Sequence, residues 1–198
     1  MTAFATRTEF DAWAKHRLAE MDAGLAAMEA ELAVARDPLA AASRFAMDTA
    51  RVCRDRFVDC IRLADSGAGE SVFRDAIPAL QDAWAQFETA MENWAVAAEQ
   101  KNVAFDARAK ALLGVWHATA AGYKAQALAA AGGQRSRIEA AIARLERDAA
   151  AYGEKFEDLK DAGKLSWVAM GQALKDSRAA FERDSDTALA ALADARKH

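Results

Sequence analysis

The side chains best able to do chemistry in this chain are few and poorly grouped. Cys53 and Cys60 lie seven residues apart, a helix spacing that sets their Cα atoms about 10.5 Å from each other. A disulfide needs about 7 Å or less, so the two cannot join within one helix. Neither CxxC spacing nor neighbouring histidines suggest a metal or redox site there, and small hydrophobic packing is the expectation. The histidines His16, His117 and His198 have no acidic residue three positions earlier. Di-iron bundles need that Glu-x-x-His pairing so that carboxylate and imidazole share one metal. His16 and His117 are therefore expected as flank ion pairs with Asp59 and Asp148. The sequence lacks a phosphate-binding glycine loop, a nucleophile elbow, an HExxH helix and a calcium loop. No catalytic residue, metal or cofactor is assigned, and the chain reads as non-enzymatic.

The elements that would carry these residues are helices. Alanine fills 54 of 198 positions, with two prolines and ten glycines. Alanine has the highest helix propensity, and without β-branched runs a sandwich, barrel or doubly wound sheet is excluded. No stretch approaches 18 uncharged apolar residues, so no membrane span is expected. The start, MTAFATRTEFDAW, lacks a basic region followed by an apolar one, so no signal peptide is read. With two cysteines and no disulfide framework, a cytoplasmic location follows as the expectation.

Heptad-spaced apolar residues define four seams. The first runs from Ala14 through Met21, Leu25 and Met28 to Ala35. The second joins Ala42, Ala46, Thr49, Cys53, Phe57, Cys60 and Ala64. A third runs from Leu80 through Trp84, Trp94, Phe105, Trp116 and Tyr123, and a fourth from Ile138 through Phe156, Trp167 and Phe181. Asp37-Pro38 reads as a helix start, Gly132-Gly133 as a helix end, and Ser136 with Glu139 as a capping box. Pro78 either kinks or begins the third helix. Two seams contain a stutter, at Trp94–Ala98–Asn102 and at Leu159–Gly163–Trp167, which would relax the supercoil at one height.

The resulting expectation is one elongated all-α domain over 1–198, with helices at about 8–36, 38–65, 71–131 and 136–195. A short helical hairpin packs on one end of a long antiparallel coiled-coil hairpin. This four-helix bundle leaves a projecting two-helix arm at about 103–160. In that register Trp116 faces Ala149, Leu112 faces Tyr152 and Trp84 faces Phe181. The tryptophans are spread along the seams, so they read as packing rather than a ligand cage. Leu113, Trp116 and Tyr123 would leave outer flanks on the arm, and a second copy laid alongside would make a homodimer.

Charge is uneven. From Lys101 to Arg147 there are eight bases (Lys101, Arg108, Lys110, Lys124, Arg135, Arg137, Arg144, Arg147) and three acids, although the whole chain carries -4. The arm's interaction residues are thus Leu113, Trp116, Tyr123, Lys124, Arg135, Arg137, Arg144 and Arg147. They would meet the acidic end of another copy or an anionic lipid or granule surface. A pI near 5.5 and the absence of interleaved aromatics and bases argue against nucleic acid.

The segment from Tyr152 to Gly163, followed by Ser166-Trp167 and Ala173-Leu174-Lys175, resembles small bacterial coiled-coil stress-response proteins. Ala35-Arg36-Asp37-Pro38, leading into an amphipathic helix, is similar to a turn in phasins, the Ala-rich coat proteins of polyester granules. The first resemblance implies a cytosolic, non-enzymatic protein. The leading expectation is accordingly a self-associating helical scaffold; the alternative is a BAR-like or phasin-like binder of anionic membrane or granule surfaces.

Overall fold

The computed structural model describes residues 7–34, 40–65, 70–97, 101–128, 132–161 and 167–195. All are helical except Leu128, in a turn. The six helices are α1 (Arg7–Val34), α2 (Ala40–Asp65), α3 (Glu70–Ala97), α4 (Lys101–Ala127), α5 (Gly132–Asp161) and α6 (Trp167–Ala195). The all-α class is as the composition dictates. The helix start expected at Asp37-Pro38 lies outside the described residues.

The two long helices expected at 71–131 and 136–195 are four helices. A continuous helix would set Glu88 and Arg108 about 30 Å apart, yet Arg108 Nη2 donates to Glu88 Oε1 at 3.1 Å. The chain therefore reverses between α3 and α4. It reverses again between α5 and α6, because Trp116 on α4 meets both Tyr152 of α5 and Phe181 of α6. The stutters mark these two reversals: a break in seam period is where one helix's seam ends and the next begins. The expected arm is consequently not a bare pair of helices, since α6 lies along it. Phe181, expected across from Trp84, stacks on Trp116.

The helices form two compact units. One comprises the described residues from Ala14 to Arg108; the other comprises those from Ala109 onward together with Arg7–Trp13. Each is built on three helices that run up, down and up: α1 from Ala14, α2 and α3 in the first, and α4 from Ala109, α5 and α6 in the second. In the first unit, Arg51 and Arg54 of α2 reach back to Glu29 and Asp22 of α1 at 2.8 Å each. Arg56 of α2 meets Asp82 of α3 at 3.0 Å, and Arg17 of α1 lies 4.8 Å over the Trp84 ring of α3. Gly24 leaves room for α3: a Cβ there would stand 3.2 Å from Phe87 and 3.3 Å from Met91. In the second unit, Lys124 of α4 meets Glu146 of α5 at 3.0 Å, and Tyr123 of α4 meets Ser185 of α6 at 2.6 Å.

This shared plan is written in the sequence as an internal repeat. Phe10-Asp11-Ala12-x-Ala14-Lys15-x-x-Leu18 of α1 recurs as Phe105-Asp106-Ala107-x-Ala109-Lys110-x-x-Leu113 of α4. Ala79-Leu80-x-Asp82-x-x-Ala85-x-Phe87-Glu88 of α3 recurs as Ala173-Leu174-x-Asp176-x-x-Ala179-x-Phe181-Glu182 of α6. Ser43-Arg44, Ala50-Arg51 and Arg54-Asp55 of α2 recur as Ser136-Arg137, Ala143-Arg144 and Arg147-Asp148 of α5. Burial follows the first repeat: Phe10, Ala14, Met21 and Met28 match Phe105, Ala109, Trp116 and Tyr123, all buried.

Two local expectations fail for one reason. Gly132 and Gly133 open α5 rather than ending the preceding helix, which stops at Ala127. Ser136 is thus inside a helix, and Glu139 pairs with Arg135 at 2.8 Å instead of closing a capping box. Pro78 is inside α3, exposed, where water can serve the carbonyl its missing N–H leaves open.

Candidate interaction surfaces

The middle helices, α2 and α5, show the largest difference between the units. Their inward faces correspond position by position: Ala46, Ala50, Cys53, Phe57 and Ala64 of α2 match Ile138, Ile142, Leu145, Ala149 and Phe156 of α5, all buried. Volume is redistributed around them. Small residues on α2 accompany buried Trp84, Met91 and Trp94 on α3, whereas large ones on α5 accompany buried Ser177, Ser185 and Ala188 on α6. Close packing requires such compensation.

This burial match is one residue out of step with the recurring Ser-Arg and Arg-Asp motif. One residue is about 100° of helix rotation. The α2 residues that align by motif with Ile138, Leu145 and Phe156 are therefore turned out of the core. They are Phe45, Val52 and Leu63, 75%, 67% and 53% exposed. With Thr49, Arg56 and Asp59 they recur at alternating spacings of four and three, a second seam on α2. Two hollows flank it. One, of about 580 Å³, lies between α2 and α3 beside Phe45, Ala46, Thr49, Thr89 and Asn93. The other, of about 450 Å³, lies around Val52, Arg56, Asp59, Cys60 and Leu63.

On α5 the corresponding outward positions are Arg137, Arg144 and Lys155, all exposed. Lys124, Arg135 and Arg147 are exposed as well, and Leu128, 66% exposed, follows α4. Some of this charge is internally matched. Lys124 pairs with Glu146, Arg135 with Glu139, and Arg147 Nε donates to the Ala143 carbonyl at 3.2 Å. Arg144 acts on Asp184, whose carboxyl is pushed up by burial and by the neighbouring Asp148.

The apolar residues expected on the arm's outer flank are not outward. Trp116 is 1% exposed, stacked on Phe181 at 4.7 Å and edge-on to Tyr152 at 5.0 Å. Tyr123 is buried against Ser185, and burial raises its phenol. Leu113 is half-buried with its methyls beside Gly153. Arg108, counted among the arm's bases, is buried on Glu88. The Lys101 side chain lies outside the described ones. Sequence reasoning missed the α2 face because it assigned one seam per helix; the Ser-Arg and Arg-Asp repeat was the signal that could have found it.

The histidine and cysteine expectations divide. His16 is buried, and its pKa is lowered to about 4 by desolvation and then by Arg17 and Lys15, so it is neutral rather than an ion-pair partner of Asp59. His117 is exposed. Cys53 and Cys60 are free thiols, both pushed up chiefly by burial. Among the described residues, no group of three or more His, Cys, Asp or Glu could hold a metal ion, and no helix is long and apolar enough to cross a membrane. The chain matches no known family model, curated protein or solved structure.

Proposed function

We propose that this chain is a non-enzymatic helical scaffold that self-associates, as a homodimer, through a surface on its first unit. The observation that carries this reading is the second apolar seam of α2. Exposing Phe45, Val52 and Leu63 together costs hydrophobic free energy of about 25 cal/mol per Å² unless something covers them. Two free thiols, Cys53 buried and Cys60 half-buried, fit a reducing compartment, and the cytoplasm is the location we infer. Sedimentation equilibrium at tens of micromolar tests the reading: a reversible dimer supports it, and a monomer throughout contradicts it.

A second reading rests on the cationic face of α5. Arg137, Arg144 and Lys155, with Lys124, Arg135, Arg147 and the exposed Leu128, would suit an anionic membrane or storage-granule surface. This is the alternative that the phasin-like turn suggests. Co-sedimentation with anionic vesicles at low and high salt separates the readings. Binding lost at high salt supports the surface reader, and no binding at low salt removes it.

A further inference from the structure

We infer that the outward seam of α2 pairs antiparallel with the same seam of a second copy, about a two-fold axis near residue 54. This inference rests on the self-association proposed above and specifies the surface that makes it. A two-fold interface must be self-complementary, each residue i meeting j while j meets i. The seam has that property. Turned end for end on itself, it brings Phe45 opposite Leu63, Thr49 opposite Asp59 and Val52 opposite Arg56. The two large apolar residues thus meet at both ends, and Thr49, whose hydroxyl donates to the Phe45 carbonyl at 2.9 Å, comes beside Asp59. The aliphatic stem of Arg56, whose head is held by Asp82 at 3.0 Å, can cover Val52.

Relief and charge agree with this register. The two hollows lie at opposite ends of the seam, one beside Phe45 and the other beside Leu63. In the antiparallel pair each copy offers a hollow where the other offers a protruding side chain, twice over. On the flank, Asp48 comes opposite Arg62, again twice, and both side chains are exposed, 67% and 74%. A parallel pair would instead set Arg56 against Arg56 and Asp59 against Asp59 along the seam, so that like charges meet. From Phe45 to Leu63 the seam runs about 27 Å, long enough for a helix–helix interface. The motif-aligned residues of α5 show that this pattern is covered where helices are available to cover it: Ile138, Leu145 and Phe156 are all buried.

The test uses the full chain with Cys53→Ala and Cys60→Ala, checked for unchanged helical content and dimerisation. Asp55→Cys, beside the axis, should cross-link to itself on mild oxidation. Asp48→Cys alone should not, while a mixture of Asp48→Cys and Arg62→Cys proteins should form the mixed dimer. In the otherwise unaltered chain, Val52→Asp should raise the dimer dissociation constant at least about tenfold. Self-linking of Asp48→Cys, or a dimer that neither links at residue 55 nor responds to Val52→Asp, overturns this interface while leaving self-association standing. A cysteine-free parent and native chain that are both monomeric overturn the self-association itself. Val52→Asp that abolishes binding to anionic vesicles by a monomeric native chain would assign the face to lipid and overturn the proposal.

Discussion

The first unit and the second share one helical plan, yet they dispose of their hydrophobic surface in opposite ways. The second concentrates it: Trp116, Tyr123, Ile138, Leu145 and Phe156 are buried, and the middle helix shows Arg137, Arg144 and Lys155 to solvent. The first divides it. Bulk moves to α3, α2 turns Ala46, Ala50, Cys53, Phe57 and Ala64 inward, and Phe45, Val52 and Leu63 are left outside. One residue of offset between motif and burial is enough to do this, because it rotates a helix by about 100°. A repeated fold can therefore acquire a new surface without a new element.

The sharpest way to break the comparison is to remove an aromatic from the buried core of the second unit. Trp116→Ala should cost roughly 3–5 kcal/mol, as large-to-small core substitutions do, through the lost stack on Phe181 and edge contact with Tyr152. Differential hydrogen exchange should place the loss in the second unit. Arg108→Ala should act on the first: it leaves Glu88 part-buried without this partner, at a cost of about 3 kcal/mol by denaturant unfolding.

Acid should also separate the units. His16 has its pKa lowered to about 4 in the folded chain, against about 6.5 when unfolded. Its contribution is full above pH 6.5 and is lost as pH falls toward 4, because only the unfolded chain then takes the proton. The loss approaches roughly 3 kcal/mol in the first unit. Asp184 in the second unit has the opposite sign. Its carboxyl is raised by burial and by Asp148, so protonation on moderate acidification stabilises the folded form. Hydrogen exchange at pH 7 and pH 5 should show protection falling in the first unit more than in the second, and His16→Gln should narrow that difference. The smallest effect belongs to Tyr123→Phe, which removes the 2.6 Å contact and leaves the buried Ser185 hydroxyl without that bond. About 1–2 kcal/mol of lost stability by thermal unfolding is expected.

Much of this was legible from residue spacing. Alanine content and heptad periodicity dictate helices, and the buried seam positions from Met21 to Met28 and from Leu80 to Trp94 follow directly. The stutters were visible but ambiguous: two successive steps of four describe a relaxed supercoil or the junction of two seams equally well. Only the contacts of Glu88 with Arg108, and of Trp116 with Phe181, choose between them. The basic residues of the α4–α5 region were legible by type, but pairing with Glu146 and Glu139 is tertiary or local geometry that charge counting does not contain. The α2 face was hidden for a related reason, since a helix with two apolar faces has no single periodic answer.

The most direct measurement of the central claim gives α2 the outward residues of α5. In the triple variant F45R/V52R/L63K the first unit presents the same chemistry as the second. If the α2 face is an interaction surface and not part of the core, circular dichroism should be unchanged, the unfolding midpoint should match that of the native chain diluted below its dimer dissociation constant, and sedimentation equilibrium should show the dimer gone. Loss of helical structure in the triple variant, or a dimer that persists with native affinity, would contradict the account.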